Sequence, residues 1–74
     1  MDADQLKIRF GTLIKKLRKK KSISQEQLAH DCELDRTYIS MLERGIHQPS
    51  LHTLFIIAEN LDMKASELIL LLED

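Results

Sequence analysis

A chain of 74 residues makes one small domain, burying only about 60% of the surface that its unfolded form exposes. Two glycines and one proline leave too few turn-formers for tight β-hairpins and favour an all-α fold, while a single cysteine excludes an internal disulfide and suits a reducing compartment. The net charge of −1 conceals a gradient, with positions 1–22 carrying +6, positions 23–49 carrying −3 and positions 50–74 carrying −4.

The first amphipathic stretch, about 4–20, places Leu6, Phe10, Leu13, Ile14 and Leu17 on one side at helical spacing. Its end carries Lys15, Lys16, Lys19, Lys20 and Lys21, a run that is either a solvated helix face or an attraction for polyanions. Ser24 reads as the N-cap of a second helix that ends near Cys32, with Gln27 completing a capping box. Glu33 and Leu34 make the turn. Asp35 caps a third helix ending at Arg44, and Gly45 is placed to take the left-handed conformation that stops a helix. Positions 46–49 form a loop. Ser50 caps a fourth helix whose apolar side is Leu51, Leu54, Phe55, Ile57, Ala58 and Leu61. A break at 62–64 precedes a fifth helix over about 65–72. No repeat, low-complexity tract or long linker divides the chain, so 1–74 is expected to be a single domain.

Within 24–45, the residues Leu28, Ala29, Cys32, Leu34, Ile39 and Leu42 bury one face of each short helix against the other. The small Ala29 lets the two helices approach, and Cys32 falls in the apolar pattern of the core. Arg36, Thr37, Tyr38, Ser40 and Met41 are left pointing outward or at the rim. This is the pattern of a helix-turn-helix, whose second helix enters a DNA groove. The segments LIKKLRKKKSISQEQLA, LDRTYISMLERG and PSLHTLFIIAENLDMKASEL resemble the lambda-repressor-like (Xre-type) regulators over roughly 8–70. LDRTYISML with the following ERG is most similar to the small controller proteins of restriction–modification systems. The resemblance implies five-helix packing with the third helix in the major groove, and a homodimeric regulator of transcription acting on its own operon. The chain departs from the family pattern in three places. Glu33 and Ser22 stand where Gly is common, and Ile46-His47-Gln48 occupies a loop that often carries Lys or Arg.

The candidate base-contacting residues are Arg36, Thr37, Ser40, Tyr38 and Met41. The planar fork of Arg36 matches the O6 and N7 acceptors of guanine, a pairing worth about 1–3 kcal/mol of discrimination, although a phosphate contact fits the same side chain. Thr37 and Ser40 share a face three residues apart and offer hydroxyls to a base edge or phosphate. Tyr38 either lies along the DNA backbone or packs half-buried; Met41 either meets a base, as its family position implies, or packs at the rim. For phosphate, Ser24, Gln25 and the free N–H groups that open the second helix suit an anion. The family arrangement adds Arg44, Gln48 and Ser50 on the opposite side of the groove, with His47 weaker because it is neutral for much of the time at pH 7. Arg18 and Glu43 match a family ion pair that bridges the first helix to the end of the third, a structural role.

Leu68 to Leu72 surround a short helix with apolar side chains, more than one domain face can bury. A symmetric homodimer through positions 60–74 follows, with Leu61, Met63, Leu68, Ile69, Leu71 and Leu72 as its interface. Such a dimer reads a palindromic operator on double-stranded DNA. His30, His47 and His52 lack metal-ligand spacing, no catalytic constellation stands out, and the chain is small for a substrate pocket of about 300–1,000 Å³. No enzyme activity, metal, cofactor, small-molecule ligand or membrane contact is therefore expected, and with no leader sequence the expected location is cytoplasmic. The alternatives are a phage-type or general repressor, and an antitoxin or adaptor that works mainly by gripping a protein.

Overall fold

The computed structural model describes residues 1–74 as five α-helices: α1 Ala3–Lys20, α2 Gln25–Cys32, α3 Arg36–Glu43, α4 Leu51–Asn60 and α5 Ala65–Glu73. Their starts follow from side chains that satisfy the free N–H groups of a first turn. Ser24 Oγ accepts the Gln27 N–H at 2.9 Å, Asp35 Oδ1 that of Thr37 at 3.0 Å, and Ser50 Oγ that of Thr53 at 3.0 Å. The capping box expected at Ser24 is only half formed. The Gln27 side chain instead points along the helix, where its Nε2 donates to Asp31 Oδ1 at 2.7 Å, a charge-assisted bond that takes its oxygen away from the Ser24 N–H. A full box forms where none was expected, between Asp2 and Gln5, and starts α1 earlier in the chain.

The first four helices end alike. Ser22, Glu33, Gly45 and Asp62 take φ of 62°, 56°, 74° and 60°. In each case the next residue donates its N–H five residues back: Ile23 to Arg18 O, Leu34 to Ala29 O, Ile46 to Met41 O and Met63 to Ala58 O. This motif caps the last carbonyls and folds an apolar side chain back over the helix end. Ile23, Leu34 and Met63 pack against the core in this way, whereas Ile46 stays exposed.

α1 packs on α3 and α5, α2 on α3 and α4, and α4 on α5. Phe10, Ile14, Leu28, Ile39, Leu42, Ile57 and Leu68 fill the centre, with Ala29 buried where α2 meets its neighbours. Cys32 is buried among them, and desolvation, aided by the charge of Asp31, pushes its thiol up to about 11. A thiol so placed stays protonated and unreactive at neutral pH. Gly11 sets the depth of the α1–α3 crossing, since a Cβ there would lie 2.3 Å from the Leu42 carbonyl oxygen and 2.7 Å from that of Glu43.

α4 corrects one expectation. Leu51 and Phe55 were assigned to its core side, but they are 69% and 53% exposed, and Thr53 is buried. The pair lies one turn apart beside the seam of Leu54, Ile57, Ala58 and Leu61 that faces the other helices. α5 corrects another. Leu68 and Leu72, together with Leu61 before it, are core residues of a single protomer and not free to form a dimer interface. One turn separates Leu68 from Leu72, so that pair faces inward and leaves Ile69, Leu70 and Leu71 exposed.

Candidate nucleic-acid interface

α3 is held from behind by a buried polar hub. Arg18 Nε donates to Glu43 Oε2 at 2.7 Å and Arg18 Nη2 to Glu43 Oε1 at 3.0 Å, a two-pronged pair. The third nitrogen, Nη1, donates to the Ile23 carbonyl at 2.9 Å, which anchors the α1–α2 turn to the same side chain. Hydrogen bonding to Glu43 raises the guanidinium pKa above its ordinary value against the opposing effect of burial, so Arg18 stays charged. Gln25 Nε2 adds a bond to Glu43 Oε1 at 3.0 Å. The start of α2 and the end of α3 thus share one carboxylate. The Arg18–Glu43 pairing expected from the family pattern is present; the Gln25 link joins residues 18 apart in sequence, and nothing local signals it.

Around this hub an open polar cleft is lined by Arg18, Ser24, Gln25, Glu26 and Arg36. Three residues assigned to DNA from sequence, Ser24, Gln25 and Arg36, are therefore brought together. The backbone N–H groups of Gln25 and Glu26 open α2 without a helical partner, a setting that favours an anion. The role assigned to Gln25 changes: with its side chain turned to Glu43, it offers an anion mainly its backbone N–H. Glu26, on the same rim, opposes a phosphate by charge and was not foreseen there.

Arg36 and Thr37 are exposed at the start of α3, with Ser40 and Met41 half-buried further along. Thr37, Ser40 and Met41 lie away from Ile39, Leu42 and Glu43, the buried side of the helix, whereas Arg36, about two turns before Glu43, stands on the cleft side. Tyr38 is half-buried against the core, with its ring centroid 6.3 Å from that of His47 at a tilt of 47°. It stands at the edge of the outward face, half-buried as one of its two expected placements had it.

The far side of α3 is weaker in charge. Arg44 is exposed, with Nε 3.4 Å from the Ser40 carbonyl. Gln48 and Ser50 line a separate apolar groove with Phe10, Leu51, Leu54 and Ile69. Ser50 Oγ accepts from the Thr53 backbone and donates to Thr53 Oγ1 at 2.9 Å, so its proton is used within α4 and not free for a phosphate. Of the expected interface between copies, Met63 is half-buried, while Ile69 and Leu71 are exposed. Leu70, Leu51 and Phe55 join them as exposed apolar side chains that sequence had not assigned there. No helix is long and apolar enough to cross a membrane.

A short capped helix braced from behind, its outward face polar and flanked by a second helix N-terminus, defines a helix-turn-helix DNA-binding protein. The helix-turn-helix family matches residues 14–68, and the chain belongs to it. Control protein C.MunI of Mycoplasma sp is 47% identical over 66 residues, covering 88% of this chain and 89% of that protein. Control protein C.BamHI of Bacillus amyloliquefaciens is 37% identical over 67 residues, with 89% and 83% covered. The crystal structure of the restriction–modification controller protein C.AhdI from Aeromonas hydrophila superposes with a TM-score of 0.80 at 39% identity, over 84% of this chain and 94% of that one. Within the helix-turn-helix family, this chain is a member of the controller group.

Proposed function

We propose that the chain acts in the cytoplasm as a homodimer that reads a palindromic operator through α3 and sets transcription of a restriction–modification operon, its own gene included. The observation that carries this is the open polar cleft that Arg36 lines together with Ser24, Gln25 and Glu26 at the start of α2. A phosphate seated on the N–H groups that open α2 fixes the register in which Arg36 meets a base edge. Thr37 and Ser40 continue the same face into the groove. Several exposed apolar side chains on so small a domain favour a partner, and the exposed set on α4 and α5 supports pairing of two copies. A two-fold dimer then presents its recognition helices about 34–36 Å apart, one turn of DNA.

The test begins with selection of a binding duplex from a random library by the wild-type protein, followed by titration of that duplex and of a scrambled one. The expected preference for the selected duplex is about 1,000-fold or more, and the enriched sequence is palindromic. Equal binding of both duplexes would overturn sequence-specific reading. Sedimentation at micromolar concentration checks the oligomer, and a species of 8.6 kDa alone would exclude the dimer.

A further inference from the structure

α1 carries four exposed lysines, Lys15, Lys16, Lys19 and Lys20, and none of them has a carboxylate within ion-pair distance. Lys7 pairs with Asp4 at 3.1 Å and Lys21 with Asp62 at 3.0 Å, so the unpaired charge is concentrated over 15–20. The four do not share one side of the helix. Lys15 lies four residues after Gly11 and three before Arg18, and both of those touch the end of α3. Lys19 follows Lys15 by one turn along the same exposed shoulder. Lys20 instead lines a hollow with Leu17, Met63 and Leu71 on the α5 side, and Lys16 sits one turn before it.

We infer that Lys15 and Lys19 extend the phosphate track of the cleft along α1, gripping the DNA backbone beyond the bases that α3 reads. Arg18 lines the cleft, and the solvent side of α1 next to Arg18 is the shoulder that bears these two lysines. A backbone strand seated on the α2 N-terminus continues over them. Flexible ammonium groups suit this task, because a sequence-independent contact needs charge within reach and not a fixed fork. The acidic groups facing the shoulder are few: Glu43 is saturated by Arg18 and Gln25, leaving Glu26 at the rim. The placement would put basic charge beside α3 where the loop at 46–48 offers no Lys or Arg.

The inference rests on the proposed DNA reading, and one experiment separates the two. Binding of the selected duplex and of a scrambled duplex is titrated across a salt series for wild type, Lys15→Gln/Lys19→Gln and the control Lys16→Gln/Lys20→Gln. The first pair should weaken both duplexes about tenfold or more and reduce the salt slope by about 3–4 for a dimer, at ~0.9 per lost contact. The control pair removes the same charge from the other shoulder and should change the slope by less than half as much. Equal effects of the two pairs would reduce the result to net charge and overturn the placement. A first pair that leaves both affinities unchanged would also overturn it and assign the lysines to an acidic protein partner. A wild-type chain that binds neither duplex overturns both readings together. All four side chains are exposed, so matching thermal melts verify that the variants remain folded.

Discussion

On one side of α3, Arg18, Glu43 and Gln25 form a closed set of hydrogen bonds, beside which the α2 N-terminus and two unpaired lysines face solvent. On the other side, the loop after Gly45 carries no Lys or Arg, its Ile46 is exposed, and it meets α3 through the Ile46 N–H on the Met41 carbonyl and the Tyr38–His47 ring pair. The first flank is closed by side-chain hydrogen bonds and carries unpaired positive charge at its edge; the second has neither. Position and charge therefore come to the recognition helix from the same side. A helix-turn-helix can hold its register with a single strong flank when its end is pinned by a buried ion pair.

The largest expected effect comes from breaking that pin. Glu43→Gln leaves the Arg18 guanidinium buried without its counter-charge and should cost about 3–5 kcal/mol in chemical denaturation. Arg18→Met with Glu43→Leu should recover much of that loss, since an apolar replacement removes both desolvated charges. Equal stability of Glu43→Gln and wild type would mean that the hub does not hold the flank. Gly11→Ala forces the α1–α3 crossing apart against backbone carbonyls and should lower stability by about 1–3 kcal/mol, read as a lower melting temperature. Glu33→Gly, at a residue with φ of 56°, should raise stability by about 0.5–1 kcal/mol while DNA affinity, measured in parallel, stays the same. The smallest change sharpens the contrast between the flanks. Gln48→Lys puts a charge on the neutral side and should steepen the salt dependence of binding by about 1 per protomer. An unchanged slope would place position 48, which lines the apolar groove, outside reach of the DNA backbone.

The starts of α2, α3 and α4 were legible because each rests on local chemistry, a Ser or Asp followed by N–H groups within three residues. The left-handed ends at Glu33 and Gly45 were readable from the family pattern and from glycine; the one at Asp62 was not, because nothing in its identity demands positive φ. What sequence missed depends on tertiary phase. Leu68 to Leu72 is an unbroken apolar run, so its pattern does not reveal which residues face inward, and Leu68 and Leu72 were assigned outward although they complete the core. Leu51 and Phe55 failed for the opposite reason, lying one turn apart at the border of the buried seam of α4. In the DNA-facing site, Arg36 and Ser24 needed only their helix positions. The inward turn of Gln25 needed knowledge of where Glu43 lies, and the Ser50 hydroxyl needed its bond to Thr53.

The central claim is that α3 reads bases while its flank grips phosphate, and Arg36→Ala tests it most directly. Its exposed side chain makes no hydrogen bond within the protein, so the variant should keep the wild-type fold and melting temperature. Binding to every single-base-pair variant of the selected duplex should show discrimination lost by about 1–3 kcal/mol at one symmetric pair of positions, with the other preferences intact. An even loss across all sequences would make Arg36 a phosphate contact, and an unchanged profile would remove it from the interface; either outcome contradicts the account.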